Sequence, residues 1–373
     1  MYLSVCCSKD KNKAAPYMFC QDQEVNDEGA RVETLAQSPE SNNEVLLMVN
    51  VEKTYSNCYY TNRAVYPTSL GMSPNESFGL LGKSNSGKTS ILKMIIGDTQ
   101  PTAGDIYVLK HNVKTELTKA STKLGYCPEN NALHDMLTGR ETLYLYGRIR
   151  GVPDRSLEDV VEVVIDFITL RPYENKVVRR YSHNNKRKLS LGIAIMGKPV
   201  LLVLDMPTVG MGRMSRRIMW NVLHLIQISG HSLIIATRSI EECEALCMRM
   251  AFMLNGRLIT IGSPQDLKLR YGQGYWVVLQ LNVTKSGSSK ILDDVIVFLH
   301  RTVQSTHVTS VAERVIIREA DSCEIHYPQP VSLVSLFRSL ILAKERFNLR
   351  AFSVQQLTLR HIFLMLINDR ASF

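Results

Sequence analysis

No apolar run in this 373-residue chain approaches the roughly 18–20 residues that a helix needs to cross a bilayer. The longest, VLLVLD and SLIIAT, have the length of strands. The stretch MYLSVCCSKDKNK holds too short an apolar segment for a secretory signal. The sequence therefore reads as a soluble, cytosolic chain, and any role at a membrane is expected to come through a partner. The eight cysteines lack paired metal-ligand spacing. Cys6 and Cys7 are adjacent, and Cys243 and Cys247 are four apart in EECEALC. Reduced thiols are the plain reading, with palmitoylation of Cys6 and Cys7 as an alternative. Asn75-Glu76-Ser77 and Asn282-Val283-Thr284 match the glycosylation sequon and are read as chance in a cytosolic chain.

A nucleic-acid motif is lacking too, and no aromatics interleave the basic clusters. Net charge is +9, with basic residues at Lys186-Arg187-Lys188 and at Arg213, Arg216 and Arg217. We read these as solvated faces near a nucleotide or an anionic membrane surface, with no nucleic-acid partner. The chain also contains neither N-K-x-D nor D-x-x-G, which argues against a GTPase.

What is present is an ordinary globular balance, 45% hydrophobic and 21% charged, on a chain long enough for two or three domains. Residues 1–43 are polar without periodicity and read as a flexible leader or linker. From Glu44, EVLLMVNVEKTY and SFGLLGK read as strands and KTSILKMIIGD as a helix. Residues from about 129 to 198 are mainly helical, and Ser156 and Asp159 have capping-box spacing at the start of SLEDVVEVVIDFI. Strands PVLLVLD and HSLIIAT then alternate with helices, which implies a parallel sheet. After about residue 274 the order becomes β-α-β-β-α-β, the pattern of a small ferredoxin-like domain. A last amphipathic helix, LTLRHIFLMLIND, follows.

The chemistry sits in GKSNSGKT, Gly82 to Thr89, which fits G-x-x-x-x-G-K-[ST] between an expected strand and an expected helix. Gly82 and Gly87 let the backbone curl so that N–H groups of Lys83, Ser84, Asn85 and Ser86 point at phosphate. The helix start at Thr89 and Ser90 adds its positive end. Lys88 is expected to reach the β- and γ-phosphates, and the Thr89 hydroxyl to ligate Mg²⁺. Asp205, ending the strand LLVLD, is expected to hold the same ion. The alternative for Asp205 is a turn cap.

These stretches, with LGYCPENNALHDMLTGRETLYLYGRIRGVP, YSHNNKRKLSLGIAI and SIEECEALCMRMAFMLNGRLITIGSPQDLKLRYGQGY, resemble the nucleotide-binding domain of ATP-binding cassette (ABC) transporters. The resemblance is to the C-terminal such domain of subfamily A, the lipid exporters, and covers roughly Glu44 to Asp369. It implies an α/β P-loop NTPase cassette, a parallel-sheet core with a helical subdomain, followed by a small α+β ferredoxin-like regulatory domain. The expected boundaries are 44–273 for the cassette, about 129–198 for its helical subdomain, and 274–373 for the regulatory domain. It also implies that Tyr55 stacks on adenine, the alternative being a strand-end tyrosine.

Against the family pattern this chain departs at defined places. Glu129 stands where a glutamine contacts Mg²⁺, and as a carboxylate it remains a metal ligand. The signature, normally Ser-Gly-Gly-Gln/Asn, reads Ser182-His183-Asn184-Asn185, and its lost glycines would crowd a phosphate. His183 could in principle donate to that phosphate. Met206 replaces the glutamate that acts as base, Gly212 replaces an aspartate at the dimer interface, and Arg238 replaces the histidine that contacts the γ-phosphate. The cradle residues remain while hydrolytic and cross-dimer residues are lost.

The expectation is therefore a cassette that binds ATP and Mg²⁺, dimerises with a second cassette and serves the transmembrane domains of a lipid transporter from the cytoplasmic face, with weak or absent hydrolysis. The alternatives are a residually active ABC ATPase, in which Glu129 or water chains substitute for Met206, and a non-transport, ATP-gated interaction module (pseudo-ATPase).

Overall fold

The computed structural model describes residues 22–37, 43–57, 60–281, 294–299, 302, 314–318, 322–327 and 332–371. The first body is built on two sheets. An antiparallel sheet contains β1 (Leu46–Asn57), β2 (Tyr60–Met72), β4 (Ala103–Val108) and the short β5 (His111–Asn112), in the order β2-β1-β4-β5. The second sheet is β3 (Ser77–Gly82), β6 (Leu124–Cys127), β7 (Leu201–Asp205), β8 (Ser232–Thr237), β9 (Arg249–Leu254) and β10 (Arg257–Gly262). Its order is β10-β9-β3-β8-β7-β6, and every pair is parallel except β10 with β9. Strands β3, β7 and β8 are buried at every residue. Their unbroken apolar runs reflect helices covering both faces.

The helix Lys88–Ile96 packs Ile91, Leu92 and Ile95 under one face of this sheet, and Gly97 ends it with φ 80°. The helix Arg213–Ile228 packs Met219, Val222, Leu223 and Ile226 on the other. Between β6 and β7 stand the helices Gly139–Ile149, Asp154–Phe167 and His183–Ile195, with a core of their own around Leu143, Leu157, Val161 and Leu189. The capping box falls at Thr138 and Glu141, where both reciprocal hydrogen bonds form. Ser156 and Asp159 do not supply one. The helix already begins at Asp154 after Pro153, and the Ser156 hydroxyl donates back to the Pro153 carbonyl.

The reading of residues 1–43 as a flexible leader is corrected for part of its length. Residues Gln23–Ala36 form a helix that buries Val25, Glu28 and Val32. The Glu28 carboxylate accepts from Arg31, from Arg249 at the start of β9 and from the Gly71 N–H of β2. Three donors to one buried carboxylate overcome a weakly amphipathic sequence, a tertiary effect that periodicity does not register. The rest of that leader, residues 1–21 and 38–42, lies outside the described residues.

From residue 275 a separate antiparallel sheet forms, with β11 (Tyr275–Leu281), β12 (Arg314–Arg318), β13 (Ser322–Tyr327) and β14 (Leu349–Gln356) in the order β12-β13-β11-β14. Residues 294–299 are helical, and the helix Leu333–Phe347 packs Leu336, Leu340 and Ala343 onto the sheet. The last helix, Leu359–Ala371, returns to the first body: Leu359, Ile362 and Met365 join the core that contains Phe252 and Leu267. Its His361 stacks on Trp276, with ring centroids 4.2 Å apart. Among the described residues no helix is long and apolar enough to cross a membrane.

Candidate functional site

Parallel register decides where the site lies. Leu81 pairs with Thr237, Ala236 with Asp205, and Leu204 with Cys127. The carboxyl ends of β3, β8, β7 and β6 are therefore neighbours, and the turns that leave them meet at one edge, where open α/β sheets bind ligands. Those turns carry the Gly82–Thr89 loop, Arg238, Met206 and Glu129. The antiparallel sheet brings Tyr55 from β1 and Tyr66 from β2 to the same edge. An open cavity of about 670 Å³ results, lined by Ser84, Asn85, Ser86, Gly87, Lys88, Thr89 and Ser90 together with Tyr55, Tyr66, Glu129, Met206 and Arg238. Tyr55 is 40% exposed there, and its hydroxyl lies 3.4 Å from Ser90 Oγ.

Glycine is required at both ends of the loop. A Cβ on Gly82 would stand 2.4 Å from the Met253 carbonyl, and one on Gly87, where φ is 100°, would stand 2.4 Å from the Ala64 carbonyl. Lys88 is folded into the loop, its Nζ donating to the carbonyls of Gly82 (2.8 Å) and Lys83 (2.6 Å) and to Ser86 Oγ (2.9 Å). Burial, aided by Arg238, lowers its pKa to about 8, against the pull of Asp205 and Glu129. The ammonium is thus held by dipoles rather than by a full countercharge.

Asp205 is 1% exposed. Neither carboxylate oxygen has a hydrogen-bond partner among the described residues. Burial raises its pKa, with Glu129 adding to the rise, while Thr89, Lys88 and Arg187 oppose it. A buried carboxylate with both oxygens unused, beside a threonine hydroxyl, fits a hard divalent cation such as Mg²⁺. Among the described residues no group of three or more His, Cys, Asp or Glu could hold a metal. An ion here would need phosphate oxygens to complete its shell, which is how Mg²⁺ is usually held. Met206, 7% exposed with φ 48°, lines the cavity with a thioether, which cannot accept a proton.

Arg187, taken as part of a solvated basic face, is fully buried. Its guanidinium donates to the carbonyls of Asp205 (2.8 Å), Met206 (2.9 Å), Pro207 (3.1 Å), Glu129 (3.0 Å) and Pro128. Five carbonyls from two turns converge here, and the guanidinium's five N–H donors satisfy them together. The signal was present in the helix period: Arg187, Leu191 and Ala194 share one buried stripe.

The residues at the signature lie away from this cavity. Ser182 caps the helix His183–Ile195, accepting from the Asn185 N–H at 3.3 Å, and Asn185 is buried. His183 Nε2 lies 2.9 Å from the Val209 carbonyl, and Asn184 Nδ2 donates to Ser215 Oγ at 3.0 Å. Both side chains that stand in for glycine are engaged by their own chain, in the segment after β7. The His183 ring is exposed, with only its Nε2 near a carbonyl of its own chain. Gly212 is exposed and starts the helix Arg213–Ile228 without a side-chain cap.

Residues 65–209 match the ABC transporter family. The chain is 37% identical over 348 residues to the phospholipid-transporting ATPase ABCA3 of Homo sapiens, covering 92% of this chain and 20% of that protein. It is 36% identical to the retinal-specific phospholipid-transporting ATPase ABCA4 of Mus musculus, covering 93% and 14%. The chain thus spans about a fifth or less of the length of these relatives. Among solved structures it is similar to the dimeric post-hydrolysis ATP-binding cassette MJ0796 bound to ADP and Pi, with a TM-score of 0.55, 19% identity, and 58% and 98% of the two chains covered. A nucleotide-free cassette from an ABC transporter is similar at a TM-score of 0.54 and 17% identity, covering 61% and 94%. At these identities the structures speak to the fold alone.

Proposed function

The chain belongs to the ABC transporter family and matches its subfamily A members over most of its length, and from that premise we propose that it binds ATP with Mg²⁺ and hydrolyses it slowly or not at all. The observation that carries this reading is the contrast between two adjacent residues. Asp205 keeps a buried carboxylate with both oxygens free for an ion, and Met206 beside it offers no base. The intact Gly82–Thr89 cradle and the stacking position of Tyr55 support the binding half. The engagement of His183 and Asn184 by their own chain supports loss of the contact that a signature makes to a second cassette's nucleotide. In this reading ATP acts as a ligand that closes a dimer with a second cassette, and that closure acts on the transmembrane domains of a lipid transporter at the cytoplasmic face.

The antiparallel order β12-β13-β11-β14, with a helix on either side of the β12-β13 hairpin in sequence, supports a ferredoxin-like unit. We assign it a regulatory role beside the cassette. A residually active ATPase is the competing reading, favoured by the Glu129 carboxylate in the same cavity. Calorimetric titration with ATP, with and without Mg²⁺, paired with phosphate release at saturating ATP, separates the two. Tight Mg²⁺-dependent binding with turnover at background is expected. Turnover well above background that Lys88→Ala abolishes would establish the competing reading, and absence of ATP binding would defeat both.

A further inference from the structure

Two charges flank the mouth of the phosphate cavity at positions where the family resemblance implies neutral glutamine and histidine. Glu129 follows β6 and Arg238 follows β8, more than a hundred residues apart. Arg238 Nη2 stands 3.9 Å from Glu129 Oε1, and Arg238 Nη1 donates to Ser84 Oγ at 3.1 Å. Ser84, Arg238 and Glu129 thus form a bridge from the phosphate loop to the opposite wall. Lys88 feels both charges in opposite senses, and Asp205 feels Glu129 as a like charge. Arg238 alone would add a cation beside Lys88, and Glu129 alone would add an anion beside Asp205. Together they leave the cavity's net charge where the neutral pair would have left it.

We propose that Glu129 and Arg238 form a latch across the phosphate cavity, opened when the terminal phosphate of a nucleoside triphosphate replaces Glu129 as the partner of Arg238. This rests on the ATP-binding reading above. Both side chains are nearly half exposed, and an ion pair at that exposure and separation is weak. An arginine–phosphate pair is charge-assisted and bidentate, so the exchange runs toward phosphate. A nucleoside diphosphate held by the loop alone does not extend to Arg238, so Glu129 keeps its partner. The latch therefore reads the number of phosphates.

The test is calorimetric affinity for ATP and for ADP in the full chain, with Arg238→Ala, Glu129→Gln and the double variant. Wild type is expected to prefer ATP by about tenfold, the scale of one charge-assisted contact. Arg238→Ala should remove most of that preference by weakening ATP alone. Measured without Mg²⁺, so that loss of a metal ligand plays no part, Glu129→Gln should tighten ATP by about threefold, the range of an exposed ion pair, and that gain should vanish when Arg238 is absent. Arg238→Lys, which keeps charge without the fork, should fall between, and thermal unfolding checks that each variant is folded. Equal losses of ATP and ADP in Arg238→Ala, or a Glu129→Gln gain that persists without Arg238, overturns the latch. If the wild-type chain binds neither nucleotide, the ATP-binding reading fails first. If it binds ATP and the two substitutions simply add, only the latch fails.

Discussion

The buried guanidinium of Arg187 donates to the main-chain carbonyl of Asp205 at 2.8 Å, from a helix that belongs to the other lobe of the cassette. The same group holds the Glu129 carbonyl at 3.0 Å. One side chain therefore ties together the two turns that carry Asp205 and Glu129. Replacing it with methionine, of similar length, leaves several buried carbonyls without a donor. Arg187→Met should lose about 3–5 kcal/mol of stability, the usual consequence of removing one member of a buried charged network. Arg187→Lys should lose nearly as much, because three donors from one nitrogen cannot span the five carbonyls. Urea unfolding followed by circular dichroism measures both, and a lysine variant as stable as wild type would contradict this account.

Asp205 presents a conflict between stability and binding. Its carboxylate is buried with neither oxygen hydrogen-bonded, and the pull of Thr89, Lys88 and Arg187 only partly offsets that burial. Asp205→Asn should raise the melting stability of the nucleotide-free chain by about 1–3 kcal/mol. The same variant should lose the Mg²⁺ dependence of ATP binding. Differential scanning calorimetry and titration with and without Mg²⁺ give both readings. A variant that is less stable and still Mg²⁺-dependent would show that the orphaned carboxylate is not the ion's ligand.

Met206 offers a gain-of-function test. If the missing base is the main lesion, Met206→Glu combined with Arg238→His should raise phosphate release by about a hundredfold, the lower range for general-base help. Lys88→Ala in that background should return release to the baseline. Flat turnover with ATP still bound would place the deficit at the signature residues His183 and Asn184 or in dimer formation.

The lowered pKa of Lys88, about 8 when phosphate is absent, makes binding pH-dependent with a defined sign. Phosphate pairs with the ammonium, so binding above pH 8 must take up a proton. ATP affinity should be level below about pH 7.5 and fall by up to about tenfold per pH unit above pH 8. Calorimetry at pH 8.5 in two buffers of different ionisation enthalpy should reveal proton uptake, and Lys88→Met should abolish it.

His361 supplies a second pH signal, this time in stability. Burial against Trp276, reinforced by Arg360 and His326, lowers its pKa to about 4. The unfolded chain, with an ordinary histidine near 6.5, binds more protons between those values. Stability from this group is complete above pH 6.5 and is lost as pH falls toward 4, by up to about 3 kcal/mol. Denaturation at pH 7 and pH 4.5 should show that loss, and His361→Phe should flatten the slope while keeping the stack.

The phosphate loop and Asp205 were legible because their chemistry demands particular residues at fixed spacing, and because apolar runs as long as LLVLD leave little choice but a buried strand. Arg187 was not, since a charged triplet reads as surface until the helix places its middle member on the stripe of Leu191 and Ala194. The helix Gln23–Ala36 was missed for a related reason. Its anchor is the charge of Glu28, answered by Arg249 more than two hundred residues away, and hydrophobic periodicity is blind to such partners. The pairing of Glu129 with Arg238 is the sharpest case. Each looks like damage when read alone along the chain, and their relation exists only across the cavity.

The sheet that begins at Tyr275 leaves the cassette and comes back to it at adjacent points, since β11 lies against β14 with Tyr275 opposite Gln356. The outgoing and returning segments are thus the two rails of one ribbon, locked at its base by the stacked rings of Trp276 and His361. A single strand between two bodies lets them spin freely. A paired ribbon bends across its flat face far more easily than it twists or shears. The C-terminal unit is therefore tied to the cassette by two segments that run side by side, and the last helix adds a further hold through Leu359, Ile362 and Met365.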